Sequence, residues 1–457
     1  MALVSRLAPR ILVALAASVL LGLLFAEAAF APAGGGSSGF GGGGGGGGGG
    51  GFSGGGGGGF SGGGGSRGSG GGSPIGALLI VAIFGLIGLV VLVSGLRYRR
   101  RRRKRLRRVE LASAEAAADD PAFAADVLVP AAVELYKQAQ RAWDRRDRRR
   151  LVELVGEDLF VEWSRRLDDF DAKGWHNRVR LTNAPEVSYV GLVNREQDQE
   201  DRAVVEIKAM LEDYVVDRGG RTITRNGSVS QTSYTLELWT LAKRDERWIV
   251  AAIEQHAEGR HHYESEIVAT PWSDSRVADE AVVETAVADG LPEGFTPADL
   301  ADLDFDGEAR AAALDLSLAD PRFAPDVLEA AARRAVEAWA EAVDGSDAAL
   351  EDLASPEVVR ELLYRGDASR QTRLVVRGPR VRSIRIAALD AGSEPATMTV
   401  EPELGGVRYV EDRDTAAVLS GSRGAATTFR ERWTLALDGP DERPWRLVRA
   451  AGSRTPA

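Results

Sequence analysis

The stretch "DPAFAADVL" at residues 120–128 returns as "DPRFAPDVL" at residues 320–328, with seven of nine positions identical. Self-similarity of this kind marks duplication of one folding unit, so the chain is expected to carry two copies of a single domain. In each copy an aspartate can cap a helix whose first turn holds proline. Both helices continue to an Ala-Trp pair, Ala142-Trp143 and Ala338-Trp339. Phe123, Val127, Leu135, Ala139, Ala142 and Trp143 fall mostly on helical spacing and read as a core-facing stripe, with Pro130 starting a second helical piece. Downstream, "YTLELWTLAKRDERWIVAAIE" at 234–254 is matched by "FRERWTLALDGPDERPWRLVRAA" at 429–451. Each reads as an alternating strand, a polar turn and a second strand opened by tryptophan. In the second copy Phe429, Trp433, Leu435 and Leu437 share one face, and Arg430, Arg432 and Thr434 share the other. Helices first and an antiparallel meander last define an α+β fold, with the helices on one face of the sheet.

The chain has 457 residues, 54 glycines, no cysteine and a net charge of −10. That average hides a polarity: residues 1–108 hold 13 basic residues and one acid, leaving 44 basic and 66 acidic residues, about −22, beyond them. An acidic soluble part excludes general nucleic-acid binding by the domains. The absence of cysteine excludes disulfides and thiolate metal sites.

The basic charge is concentrated in Arg97, Arg99, Arg100, Arg101, Arg102, Arg103, Lys104, Arg105, Arg107 and Arg108. Immediately before it, residues 75–96 read "IGALLIVAIFGLIGLVVLVSGL", an uncharged run that as a helix is roughly 33 Å long and matches a bilayer's hydrocarbon core. Basic residues beside a spanning helix stay on the cytoplasmic side and attract anionic lipid head groups. No aromatic interleaving accompanies the run, so lipid and not nucleic acid is its expected contact.

Residues 1–31 place Arg6 and Arg10 before an apolar stretch and small residues, as a signal peptide or signal anchor does. Residues 32–74 are nearly pure glycine and are expected to be disordered and extracytoplasmic. A basic juxtamembrane segment at 97–119, a first domain at 120–258, an acidic linker at 259–318 and a second, divergent domain at 319–457 complete the expected order.

Three stretches invite a chemical reading. "QHAEGRHHY" holds His256, His261 and His262 with Glu258 and Glu264. Imidazoles and carboxylates can hold zinc, but the spacing fits no standard ligand motif, and neighbouring residues on a strand point to opposite faces. "DLDFDGEARAAA" begins like a calcium loop with Asp302, Asp304, Asp306 and Gly307, yet position twelve is Ala313 where a bidentate glutamate is needed. His176, Tyr189, Asp213 and Tyr214 could line an apolar pocket. No nucleophile elbow or catalytic cysteine is present.

Asp120-Pro121 with Phe123, the Ala142-Trp143 pair followed by Asp147, and closing strands with Trp239 and Trp248 resemble the Tim44-like domain, the C-terminal domain of the forty-four-kilodalton subunit of the mitochondrial inner-membrane translocase. The second copy resembles it mainly at its first helix and last hairpin. The resemblance implies cone-like domains related to nuclear transport factor two, docking at membranes and protein partners, with no catalytic centre common to the family. Similar bacterial proteins often join a signal sequence, a glycine-rich stretch and a spanning helix to this domain. The duplication and the membrane insertion depart from the mitochondrial pattern. The function expected is therefore a non-enzymatic adaptor without a cofactor. It would sit at the cytoplasmic face of a bacterial inner membrane, bound to anionic lipid and to a membrane or cytoplasmic protein, with membrane-protein transport or assembly the role this placement suggests. The alternative is a small-molecule or lipid carrier, or an enzyme, using the domain pocket.

Overall fold

The computed structural model describes residues 74–223, 232–273, 302–440 and 443–451. The expectations for the signal segment and the glycine-rich stretch lie outside these residues. The chain divides into two compact units at Arg107, and the unit that follows holds both domain copies.

Helix α1 is Pro74–Asp119. Side chains 74–92 lie outside the described ones, and among the described residues no helix is long and apolar enough to cross a membrane. Nine of the ten basic side chains from Arg97 are exposed or half-buried, whereas Arg105 is buried. From there on α1 is built into the first domain: Val109, Ala112 and Ala116 recur at helical spacing and pack into its core.

The repeated nonapeptide forms the same object twice. Asp120 accepts a hydrogen bond from the amide of Ala122 at 2.9 Å and Asp320 from that of Arg322 at 3.0 Å. Each opens a single 3₁₀ turn, Pro121–Phe123 and Pro321–Phe323. In the first copy α2 (Ala125–Asp144), α3 (Arg148–Leu154) and α4 (Glu157–Lys173) follow, with Asp147 capping α3. Helix α2 runs straight through Pro130 where a new helical piece was expected. The stripe it buries is Leu128, Ala132, Leu135, Tyr136, Ala139, Ala142 and Trp143. Val127, assigned to the core from sequence, is exposed, because a helix starting at Ala125 turns position 128 inward instead.

The first sheet comprises β1 (His176–Leu181), β2 (Glu186–Val193), β3 (Arg202–Val216), β4 (Thr222–Ile223), β5 (Thr232–Arg244) and β6 (Arg247–Gln255). Its order is β1-β3-β5-β6. β1 and β2 lie end to end along one edge of β3, and β5 runs along the other.

The second copy starts earlier than the expected linker allows. β7 (Asp302–Phe305) pairs in parallel with β8 (Thr372–Asp390), and α5 (Gly307–Ser317) packs Ala309 and Ala313 into the second core. After α5 come α6 (Pro325–Asp344), α7 (Ala348–Leu353) and α8 (Pro356–Tyr364), then β9 (Thr397–Asp412), β10 (Val418–Arg430), β11 (Arg432–Leu437) and β12 (Trp445–Ala451). Here β8 is one strand where the first copy has two, while β10 and β11 divide the opposite edge at Glu431. Pro402 on β9 explains the division: it has no N–H to give the ladder, and its carbonyl accepts from Glu431 N at 3.2 Å.

In both copies the closing hairpin holds the opening turn. Trp248 donates its indole N–H to the Ala122 carbonyl at 3.2 Å and Trp445 to the Arg322 carbonyl at 2.9 Å. The Phe123–Trp248 and Phe323–Trp445 rings meet edge to face at 5.3 and 5.7 Å. The expected α+β architecture, helices on a curved antiparallel sheet, is present twice.

Candidate functional site

The two copies meet along a seam rich in charge. Helix α4 presents Glu162, Arg165 and Arg166, which share one helical face. β9 presents Tyr409 and Glu411, which alternate onto one face of the strand, and Arg413 follows in the turn just beyond it. Across the seam Arg413 Nε donates to Glu162 Oε1 at 2.7 Å and Arg165 Nε to Asp414 Oδ1 at 2.9 Å. Deeper in, Arg423 on β10 donates to Glu411 Oε2 at 2.8 Å and lies over the Tyr409 ring at 4.9 Å. Arg377 on β8 is anchored by Asp344 Oδ1 at 2.6 Å and sits 3.9 Å from Glu254 at the end of β6.

Burial dominates the electrostatics here. It pulls Arg166 down to about 10 against the attraction of Glu411 and Glu162. It raises the Glu258 carboxyl, which Arg423 and Arg377 pull back. Burial alone would raise Glu254 too, but His262 and His261 hold it well below the usual carboxylate range. Charges this deep are costly unless paired; Arg423 and Arg377 pair first within the second copy, and Arg413–Glu162 and Arg165–Asp414 pair across the seam.

The histidines sit on this seam. β6 ends at Gln255, and the chain turns into a 3₁₀ segment, Gly259–Tyr263. The strand geometry assumed from sequence therefore does not apply. Successive residues of a 3₁₀ turn lie about 120° apart instead of on opposite faces, so the side chains of His261 and His262 can reach a common group. His261 Nε2 donates to Glu254 Oε1 at 2.9 Å, and His262 Nε2 donates to Glu254 Oε2. The carboxylate that joins them is Glu254 and not either glutamate expected. Glu258 turns into the seam, its Oε1 accepting from Gln255 N at 2.7 Å, and Glu264 pairs with Arg380 at 3.3 Å. His256 stands apart, its ring 6.0 Å from Tyr263.

The other sequence candidates resolve differently. Asp302 and Asp304 lie on β7, while Asp306 caps α5 and pairs with Arg385 at 3.0 Å, so strand pairing and capping replace a calcium loop. His176 donates to the Asp144 carbonyl at 2.7 Å and Asp213 accepts from Asn177 at 2.6 Å. Tyr189 is buried, and Tyr214 lies on β3 beside β1. These groups do not converge. Trp143, Trp163, Trp239 and Tyr136, all fully buried, fill the first domain. Sequence reasoning passed over Arg377, Tyr409, Glu411 and Arg423. Their only signal is that charged residues occupy inward positions of strands.

Fold and seam together define a tandem α+β protein whose two copies are welded by buried ion pairs. A family model, the Tim44-like domain, matches residues 109–255 and 309–452, more than half of the chain, and the chain belongs to that family. No curated protein matches it. Among solved structures, the intermembrane-space region of the chloroplast protein ARC6 is 12% identical with a TM-score of 0.23, covering 28% of this chain and 96% of that one. An Ntf2-like protein involved in plasmid conjugation is 12% identical with a TM-score of 0.17, covering 71% of this chain and 99% of that one.

Proposed function

We propose that the chain is a membrane-anchored adaptor that performs no covalent chemistry. In this reading residues 75–96 cross the bilayer, Arg97–Arg108 lie on anionic head groups at the cytoplasmic face, and the paired domains hold a protein partner beside the membrane. The observation that carries it is continuity: helix α1, which bears the basic run, ends in Val109 and Ala116 within the core of the first Tim44-like domain. Tethering of this kind raises the effective concentration of a docking body for membrane partners. The carrier reading has less support. A cavity in the second copy, lined by Glu361, Arg365, Arg408 and Glu431 among others, has a volume of about 170 Å³, small and polar for an acyl chain.

Affinity purification from gently crosslinked membranes, comparing the full chain with one ending at residue 273, tests the reading. A defined membrane-protein partner that depends on the second copy is the expected result; recovery of a lipid or metabolite with no protein counts against it. Because the chain has no cysteine, a single reporter is clean. Ala368→Cys, in an exposed loop, should react with a membrane-impermeant maleimide only after the cells are broken. Reaction in intact cells would place the domains outside.

A further inference from the structure

Glu254, His261 and His262 are drawn together by three separate features of the fold. The 3₁₀ turn stacks the two imidazoles with ring centroids 4.0 Å apart, and the ligand atoms of all three side chains lie within 4.8 Å of one another. Gly259 lets that turn lie flat on the sheet, since a Cβ there would stand 2.9 Å from Leu238 Cδ1. The second copy closes the other side. Gly378 adopts a φ of +55° against the His261 ring, and a Cβ on it would come within 2.6 Å of His261 Cγ. The site is thus enclosed, with side-chain exposures of 3%, 20% and 13% for Glu254, His261 and His262.

The surrounding charge suits an added cation. Glu254, Glu258 and Asp344 converge from β6, the following turn and α6. The nearest opposing charge, Arg377, has its Nη1 on Asp344 Oδ1, leaving Nε 3.9 Å from Glu254. Two imidazoles and one carboxylate without thiolate form a donor set that zinc accepts, with one coordination position left over.

We propose that Glu254, His261 and His262 bind a divalent first-row transition ion, zinc foremost, at the seam between the two domain copies. The ion replaces the two Nε2–H···carboxylate hydrogen bonds: each Nε2 proton is released to solvent or moves to Nδ1 by tautomerisation, and both imidazoles coordinate through Nε2 as neutral bases. Because Gly378 seats His261, metal occupancy also strengthens the joint between copies, raising the unfolding temperature of the full chain with metal concentration.

The full-length protein, purified in detergent and stripped with a chelator, is incubated with Zn²⁺ or Co²⁺, desalted and assayed by elemental analysis and visible absorption. Expected are about one ion per chain and the d–d bands of four-coordinate Co²⁺. The double variant His261→Ala/His262→Ala should lose both signals, while His256→Ala keeps them. Should the double variant fail to fold, Glu254→Gln, which keeps size and an acceptor oxygen, must weaken zinc binding by about tenfold or more. Stripped, folded wild type that takes up neither ion overturns the proposal and leaves a proton-held cluster. So does a folded double variant, or Glu254→Gln, that binds as the wild type does.

Discussion

Glu237 and Glu431 occupy the same place in the two copies; burial raises the carboxyl of each, and Arg408 pulls that of Glu431 back. Each accepts from the indole of the tryptophan two residues on, Trp239 at 2.9 Å and Trp433 at 3.3 Å. In the second copy Arg408 lies 3.6 Å from Glu431. In the first, burial lifts Glu237 from 4.5 to about 7, with Asp213 and Glu258 adding to the rise and the Trp239 bond opposing it. A carboxyl raised by folding favours the folded state fully below its unfolded value. That contribution drains away between roughly pH 4.5 and 7, by up to about 3 kcal/mol, and stays lost above. Glu237→Gln keeps the acceptor for Trp239 and removes the titration. Its unfolding free energy should therefore rise relative to wild type as pH goes from 5 to 8, by about 1–3 kcal/mol in urea titrations. Parallel pH profiles for the two proteins would mean that Glu237 is ionised in the fold.

The turn-and-hairpin latch is the element that the sequence declares most openly, because capping and pleat alternation are local. The nonapeptide and the Trp-opened strands were legible as a duplicated α+β unit, and α2 differs from expectation at Pro130 and Val127, while the end of α1 joins a domain expected to begin at Asp120. What the sequence hid are partners far apart along the chain. Lys243 reaches Asp120 and lies 3.0 Å from Asp201, with its ammonium 5.1 Å above the Phe123 ring. The second copy has Leu437 there by alignment of the hairpins, and Asp320 pairs locally with the half-exposed Arg322 at 2.7 Å. The nonapeptides show only half of that difference, Arg322 in place of Ala122; Lys243 lies far along the chain. The difference has a measurable consequence: Lys243→Met leaves Asp120 and Asp201 together without their cation and should cost about 3–5 kcal/mol. Arg322→Met, at a surface pair, should cost under about 1 kcal/mol. Equal losses in chemical denaturation would show that the two latches bear similar loads.

At the scale of the whole molecule the question is whether two copies of one domain behave as one body. The seam was illegible in the sequence because its partners lie far apart along the chain: a helix of the first copy pairs with a turn of the second, and charges on inward strand positions gather behind them. Its inner pair is also its most vulnerable point. Arg423 is the cation over Tyr409 and against Glu411, and it lowers the otherwise raised carboxyl of Glu258. Arg423→Met preserves much of the bulk but leaves Glu411 and Glu258 buried with less compensation, a loss of about 3–5 kcal/mol. Glu258, which burial raises and Arg423 pulls back, then ionises at greater cost in the folded state than in the unfolded one, so the penalty grows as pH rises and is smallest in acid. Calorimetry of the full chain should show one transition for wild type, and for Arg423→Met two transitions at pH 8 that draw together at pH 5. Arg380→Met, which breaks only the exposed rim pair with Glu264, should leave the single transition within about 0.5 kcal/mol of wild type. If Arg423→Met melts in one unchanged transition at both pH values, apolar contacts hold the copies together and the buried charges are passengers of the seam.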